Sequence, residues 1–118
     1  MMKSLIVDDE PSARARLARM LTEHSGIVSV VGEARDGLEA LERIGSLQPD
    51  LVFLDVEMPG LSGFQVLHSL PGQVLPLVIF TTGYDQHALE AFAVNAVTYL
   101  LKPIEAERLK QGLERAHQ

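Results

Sequence analysis

Four short apolar runs in this chain each end at a residue able to handle a phosphoryl group or a metal ion. LIV runs into Asp8-Asp9, LVFL into Asp55, LVIF into Thr81-Thr82 and VTYLL into Lys102-Pro103. Adjacent carboxylates repel each other and are costly to group unless a cation offsets them. A hard divalent ion such as Mg2+ suits them, because it takes oxygen ligands and keeps several waters. The competing reading of this pair is that Asp9 or Glu10 only assists the start of the next helix, where negative charge is favoured. A carboxylate such as Asp55 can act as a nucleophile toward phosphorus and form an acyl phosphate. A Mg2+ held by the acidic pair would neutralise charge on the incoming group. Asp55 could otherwise cap a helix or turn, but a helix cap sits beside its helix, and here the turn-forming segment 56–63 intervenes. A threonine at a strand end is commonly structural, and a lone lysine is commonly a solvated surface residue. Lys102 differs in following VTYLL directly and preceding Pro103. An X-Pro bond can be cis at modest cost, so the pair can form a fixed turn that aims the ammonium inward.

These residues converge only if the elements beneath them are parallel strands. An apolar run of four or five residues between helical segments reads as a buried parallel strand. The pattern predicts strands at 3–7, 28–34, 51–55, 77–81 and 97–101. A helix is predicted from 11 to about 24, with Pro11 near its first turn. Ala13, Leu17, Met20 and Leu21 would form its apolar face, and Arg14, Arg16 and Arg19 its solvated one. A second helix opens at Asp36 or Gly37, carries Leu38, Leu41 and Ile44, and closes before Gln48-Pro49. A short helix runs through Phe64, Val66 and Leu67, a fourth lies near 87–94, and the last spans about 105–116 and buries Leu109 and Leu113. Strand–helix repeated five times means an α/β fold with right-handed crossovers and a parallel sheet. In a doubly wound sheet the carboxyl ends of the strands form the ligand crevice. Three carboxylates, a hydroxyl and an ammonium then meet at one edge, with the Asp55 strand beside the Asp8-Asp9 strand.

The 118 residues suit one domain with a proper core. The net charge of −6, from 16 acidic and 10 basic residues, argues against direct nucleic-acid contact, which needs clustered Lys and Arg. No apolar run is long enough to span a bilayer, no signal-peptide pattern opens the chain, and a cytoplasmic location is expected. With no cysteine, thiolate metal sites and disulfides are excluded. His24, His68, His87 and His117 are scattered without metal-ligand spacing, and Phe53, Phe64, Phe80 and Phe92 read as core.

The chain resembles the receiver domain of bacterial response regulators over essentially all of residues 1–118. IVDDE, DVEMPG after the third strand, the Thr82 strand end and YLLKP stand in the family's order and spacing. The resemblance implies a single flavodoxin-like domain, a doubly wound five-stranded parallel sheet with strand order 2-1-3-4-5. It implies that Asp55 is the phosphoacceptor. Asp9 would be a direct carboxylate ligand of Mg2+, Asp8 a ligand acting mostly through water, and Asp55 and the backbone carbonyl of Glu57 further ligands. Thr82 would bind a phosphoryl oxygen, Lys102 would pair with the phosphate, Pro103 would be the family's cis proline, and Tyr99 falls at the aromatic switch position. The phosphoryl donor would be a sensor histidine kinase. The domain would then be no conventional enzyme but a switch catalysing its own phosphorylation and dephosphorylation. Its responding surface would comprise the fourth helix, last strand and last helix, where a homodimer or an output domain would dock.

FTTGYDQHALEAF and NAVTYLLKPI are similar to receivers of LytTR-type transcription factors, in which a DNA-binding domain follows. A natural chain continuing past Gln118 is therefore expected. Gly83 departs from the alanine more usual after the switch threonine and would leave the phosphoryl pocket more open; Glu57 and Tyr84 near the rim would also govern phosphate lifetime.

Three rivals stand beside this reading. A phosphorylation-independent interaction module of the same fold would have no use for three clustered carboxylates and the lysine. A flavin-binding protein of like topology needs a hydroxyl- or glycine-rich phosphate loop after the first strand, where Asp-Asp-Glu-Pro would repel phosphate. A Mg2+-dependent phosphatase would need a cap or substrate-specificity element that the chain does not offer.

Overall fold

The computed structural model describes residues 1–72, 75–84 and 96–118. Its strands are β1 (Met2–Val7), β2 (Val28–Ala34), β3 (Leu51–Asp55), β4 (Leu77–Thr82) and β5 (Thr98–Leu101). Helices α1 (Pro11–Leu21), α2 (Gly37–Leu47), α3 (Gly63–His68) and a C-terminal helix (Ala106–His117) connect or follow them. The predicted helix near 87–94 and Phe92 and His87 within it lie outside the described residues. The five strands form one parallel sheet in the order β2-β1-β3-β4-β5. The chain therefore reverses direction across the sheet between β1 and β3, as a doubly wound fold requires.

Strand alternation sorts the apolar residues onto two faces. Leu5, Val7, Val52 and Leu54 join Ala40 and Ile44 of α2 and Val66 and Leu67 of α3 on one side. Ile6, Leu51, Phe53 and Ile79 join Leu17 and Leu21 of α1 and Leu109 and Leu113 of the C-terminal helix on the other. Each fully buried Val, Leu, Ile or Phe side chain among them contributes roughly 1.5–3 kcal/mol. Covering the central strands on both faces explains why all five β3 residues are buried.

Two helices depart from the sequence expectation, α2 in its buried face and α1 in where it ends. Leu38 is 74% exposed, and Ala40, fully buried, takes its place in the core with Ile44. The small residue faces the sheet because Gly37, Ala40 and Ile44, spaced by three and four, share the buried face of α2, and Leu38 falls outside it. Helix α1 ends at Leu21 and tightens into a 3-10 turn at Thr22–His24 rather than continuing as α-helix. Both α2 and α3 are capped locally. Asp36 accepts from the Glu39 amide at the start of α2, and Ser62 with Gln65 forms a capping box on α3.

Candidate functional site

Parallel register brings the predicted residues to one level of the sheet. Val7 of β1 lies opposite Leu54 of β3, so Asp8 and Asp55, each the next residue, leave the sheet side by side. Asp55 is paired in turn with Thr81, and Thr82 with Leu101, the residue before Lys102. The Lys102 amide donates to the Thr82 carbonyl at 2.7 Å, carrying the ladder one residue past β5. The Lys102–Pro103 peptide bond is cis.

At the centre is one ammonium between two buried carboxylates. Lys102 Nζ lies 2.8 Å from Asp8 Oδ2 and 3.4 Å from Asp55 Oδ2, with Glu10 Oε1 at 3.9 Å. Asp8 and Asp55 are buried, whereas Asp9 is exposed beside them. Oxygen atoms of Asp8, Asp9 and Asp55 all lie within 4.8 Å of one another. Such an all-oxygen, carboxylate-rich donor set with one open side fits a hard cation such as Mg2+.

Burial and the neighbouring Asp8 charge push the Asp55 carboxyl from its ordinary 3.8 up to about 7, against the opposing pull of Lys102 and of the Glu57 amide. Burial acts to lower the Lys102 ammonium, but its hydrogen bond to Asp8 and the charges of Asp55 and Asp8 outweigh it and hold its pKa above the ordinary lysine value. The lysine is thus held in its charged form, whereas burial and the Asp8 charge favour the protonated form of Asp55.

Neither acidic residue ahead of α1 caps it through its side chain: the cap position is Glu10, without a side-chain cap bond. Asp8 Oδ1 instead accepts from the Glu10 amide at 2.9 Å. Asp55 caps no helix either; its Oδ1 accepts from the Glu57 amide two residues on, at 3.3 Å. Thr82 is fully buried, and its hydroxyl donates to Glu57 Oε1 at 3.0 Å while accepting from the Tyr84 amide at 3.0 Å. Tyr99 is partly buried opposite Phe80 and packs on the core beneath the site. A Cβ on Gly83 would meet nothing within 4 Å, so local space does not demand glycine at that rim position.

Three contributors were not assigned these roles in the sequence. Arg14 and Arg16 are not simply solvated: Arg14 Nη1 donates to the Asp8 carbonyl at 2.6 Å and its Nε to Glu33 at 3.1 Å, and Arg16 Nη2 donates to the Ile104 carbonyl at 2.8 Å. The available signal was spacing, since helical side chains lean toward the N-terminus and Arg14 begins the second turn above the acidic pair. Gly63 is the third. A Cβ there would stand 2.5 Å from the Asp55 carbonyl oxygen, so only glycine lets α3 begin against the strand end that presents Asp55.

With fold and site in place, relatives define the class. The family model for the response regulator receiver domain matches residues 4–114. An uncharacterized response regulatory protein of Vibrio cholerae is 47% identical over 115 residues, covering 98% of this chain and 48% of that protein. The positive alginate biosynthesis regulatory protein of Pseudomonas aeruginosa is 50% identical over 116 residues, covering 98% and 47%. The response regulatory domain of mrkE from Klebsiella pneumoniae superposes with a TM-score of 0.87 at 33% identity, covering 98% of this chain and 94% of that one. The chain belongs to the response regulator receiver family. It spans about half the length of the curated relatives it matches. Among the described residues no helix is long and apolar enough to cross a membrane.

Proposed function

We propose that residues 1–118 form one receiver domain that takes a phosphoryl group from a histidine kinase onto Asp55 and passes the change to an output domain. The observation that carries this reading is the Lys102 ammonium shared by Asp8 and Asp55, at 2.8 and 3.4 Å. It marks the place where a dianionic group on Asp55 would be neutralised. An Asp55 oxygen attacks the phosphorus of a phosphohistidine; the new P–O bond forms as the P–N bond breaks, and its electron pair leaves on the imidazole. In-line positioning and neutralisation are then the chain's main contributions.

Asp9 would be the direct carboxylate ligand of Mg2+, Asp8 a ligand largely through water, and Asp55 and the Glu57 carbonyl further ligands. When bound, Mg2+ supplies charge neutralisation on the incoming phosphoryl oxygens. Asp8 and Lys102 hold the floor of the site. The phosphoryl group brings nearly two negative charges and strong acceptor oxygens. Lys102 turns to it, the Thr82 hydroxyl is drawn from Glu57 toward it, and Tyr99 follows into the space behind Thr82. Pro103, directly after Lys102, would be a structural residue of the site.

The population shift reaches the surface that includes the last strand and C-terminal helix, where a second copy or the output domain docks. The LytTR-like sequence stretches, and the regulatory relatives of twice this length, support a DNA-binding LytTR-type output domain and a cytoplasmic setting. The receiver itself, at net charge −6, makes no direct nucleic-acid contact.

Intact-protein mass after incubation with Mg2+ and acetyl phosphate tests the reading. One added phosphoryl group is expected in the parent and none in Asp55→Asn. No addition at any donor concentration, together with no Mg2+ binding, would replace it with a phosphorylation-independent interaction module.

A further inference from the structure

We infer that Arg14 is a positioning residue for the metal-binding end of the site, its guanidinium holding the Asp8–Asp9 peptide in the orientation that presents Asp9. This deepens the proposed Mg2+ site and rests on it. Every polar atom of Asp8 other than its peptide carbonyl is tied by the sheet ladder, the turn into α1 or Lys102. Its amide donates to the Ala34 carbonyl at 3.1 Å, Oδ1 accepts from the Glu10 amide, and Oδ2 meets Lys102. The carbonyl is the remaining handle, and Arg14 Nη1 takes it at 2.6 Å.

That carbonyl belongs to the planar unit linking Asp8 to Asp9, so fixing its direction also fixes the direction in which the Asp9 chain departs. Asp9 itself is exposed, which leaves the backbone as the means of aiming it. The guanidinium is held in turn. Its Nε donates to Glu33 Oε1 on β2 at 3.1 Å, and its side chain is only 17% exposed. Helix geometry explains the reach: α1 starts at Pro11, Arg14 stands one turn in, and helical side chains lean back toward the N-terminus. The planar fork of an arginine serves two acceptors in fixed directions, which one lysine ammonium on a flexible stem does not reproduce.

Charge and positioning predict opposite signs. Removing a cation beside a carboxylate site lessens repulsion of Mg2+ and, by charge alone, tightens binding. If Arg14 aims Asp9, removing it loosens binding despite the charge gain. Groups outside the ligand set that orient ligands typically change metal affinity by about 10–100-fold when lost.

Calorimetric titration of the protein with MgCl2, at fixed pH and ionic strength and well below each variant's melting temperature, reads this directly. Arg14→Ala is expected to raise the Mg2+ Kd about tenfold. Arg14→Lys, which keeps the charge and one donor, is expected to raise it by a smaller factor. Should Arg14→Ala fail to fold, Arg14→Lys carries the test with the same sign. Unchanged or tighter binding in the folded variants, against normal binding by the parent, overturns the positioning role alone. No Mg2+ binding by the parent overturns the metal site and the positioning role together.

Discussion

The Thr82 hydroxyl donates to Glu57 Oε1 at 3.0 Å, with the Tyr84 carbonyl a longer alternative acceptor at 3.3 Å. A hydroxyl has one proton, so a phosphoryl oxygen on Asp55 must compete with Glu57 for it. Hydrogen bonds to charged acceptors contribute roughly 1.5–3 kcal/mol. Glu57→Gln keeps the backbone carbonyl and replaces the charged acceptor by a neutral one. We expect it to favour engagement of Thr82, seen as up to about tenfold tighter binding of a fluoroberyllate phosphoryl mimic. Weaker binding would mean that Glu57 helps to build the phosphorylated state rather than oppose it.

The raised Asp55 pKa makes stability depend on pH with a defined sign. Its folded value of about 7 exceeds the ordinary 3.8, so between those values the folded state binds more protons than the unfolded one. Stability therefore falls as pH rises through that window, by an amount on the order of a few kcal/mol from this group. Urea unfolding of the parent and of Asp55→Asn across the window should show the downward slope in the parent and a flatter profile in the variant. A parent profile as flat as the variant's would remove the burial argument.

Mg2+ requires the ionised carboxylates, so its stabilising effect should grow as pH rises through the same window. The shift in melting temperature on adding Mg2+ measures this. A shift that shrinks with rising pH would contradict a site made of these three aspartates.

Lys102→Ala leaves Asp8 and Asp55 without their cation. Breaking a buried pair by removing one partner costs about 3–5 kcal/mol; with Lys102 23% exposed, the lower end is expected. Mg2+ should then bind more tightly and recover part of the loss, because the competing ammonium is gone. Metal-free and metal-bound melts of parent and variant give the comparison. A larger loss with Mg2+ than without it would show that Lys102 helps to hold the metal site together.

Gly63→Ala sets a methyl carbon 2.5 Å from the Asp55 carbonyl oxygen. The neighbour is backbone and cannot rotate away, so β3 or α3 must shift. Overpacking of this kind costs roughly 1–3 kcal/mol, and the displaced strand end should also slow phosphoryl uptake. Chemical denaturation together with the mass assay checks both. A stable variant with normal uptake would mean that the start of α3 yields without moving Asp55.

Much of this site is legible in the sequence. The apolar runs placed Asp8, Asp55, Thr82 and Lys102 at strand ends because a buried parallel strand must be continuously apolar and its first polar residue marks the exit from the sheet. The strand limits agree with the sequence to within a residue, β1 beginning at Met2, β4 extending to Thr82 and β5 beginning at Thr98. Helix faces were read less well. Leu38 was expected in the core on hydrophobicity, but helical phase puts Gly37, Ala40 and Ile44 on the buried face and leaves Leu38 exposed.

What the sequence by itself determined is the order of strands and helices, the residue types at each strand end and the family they belong to. These follow from local periodicity and spacing, which a linear chain carries in full. Only the tertiary structure decided which partner each polar atom takes. It gave the Lys102 ammonium to Asp8 at 2.8 Å ahead of Asp55 at 3.4 Å, the Thr82 proton to Glu57, and the Arg14 fork to Asp8 and Glu33. Those choices join residues up to 94 positions apart at a burial where few waters compete. Ångström-scale differences in strand register and helix approach settle them, and no local pattern encodes such differences.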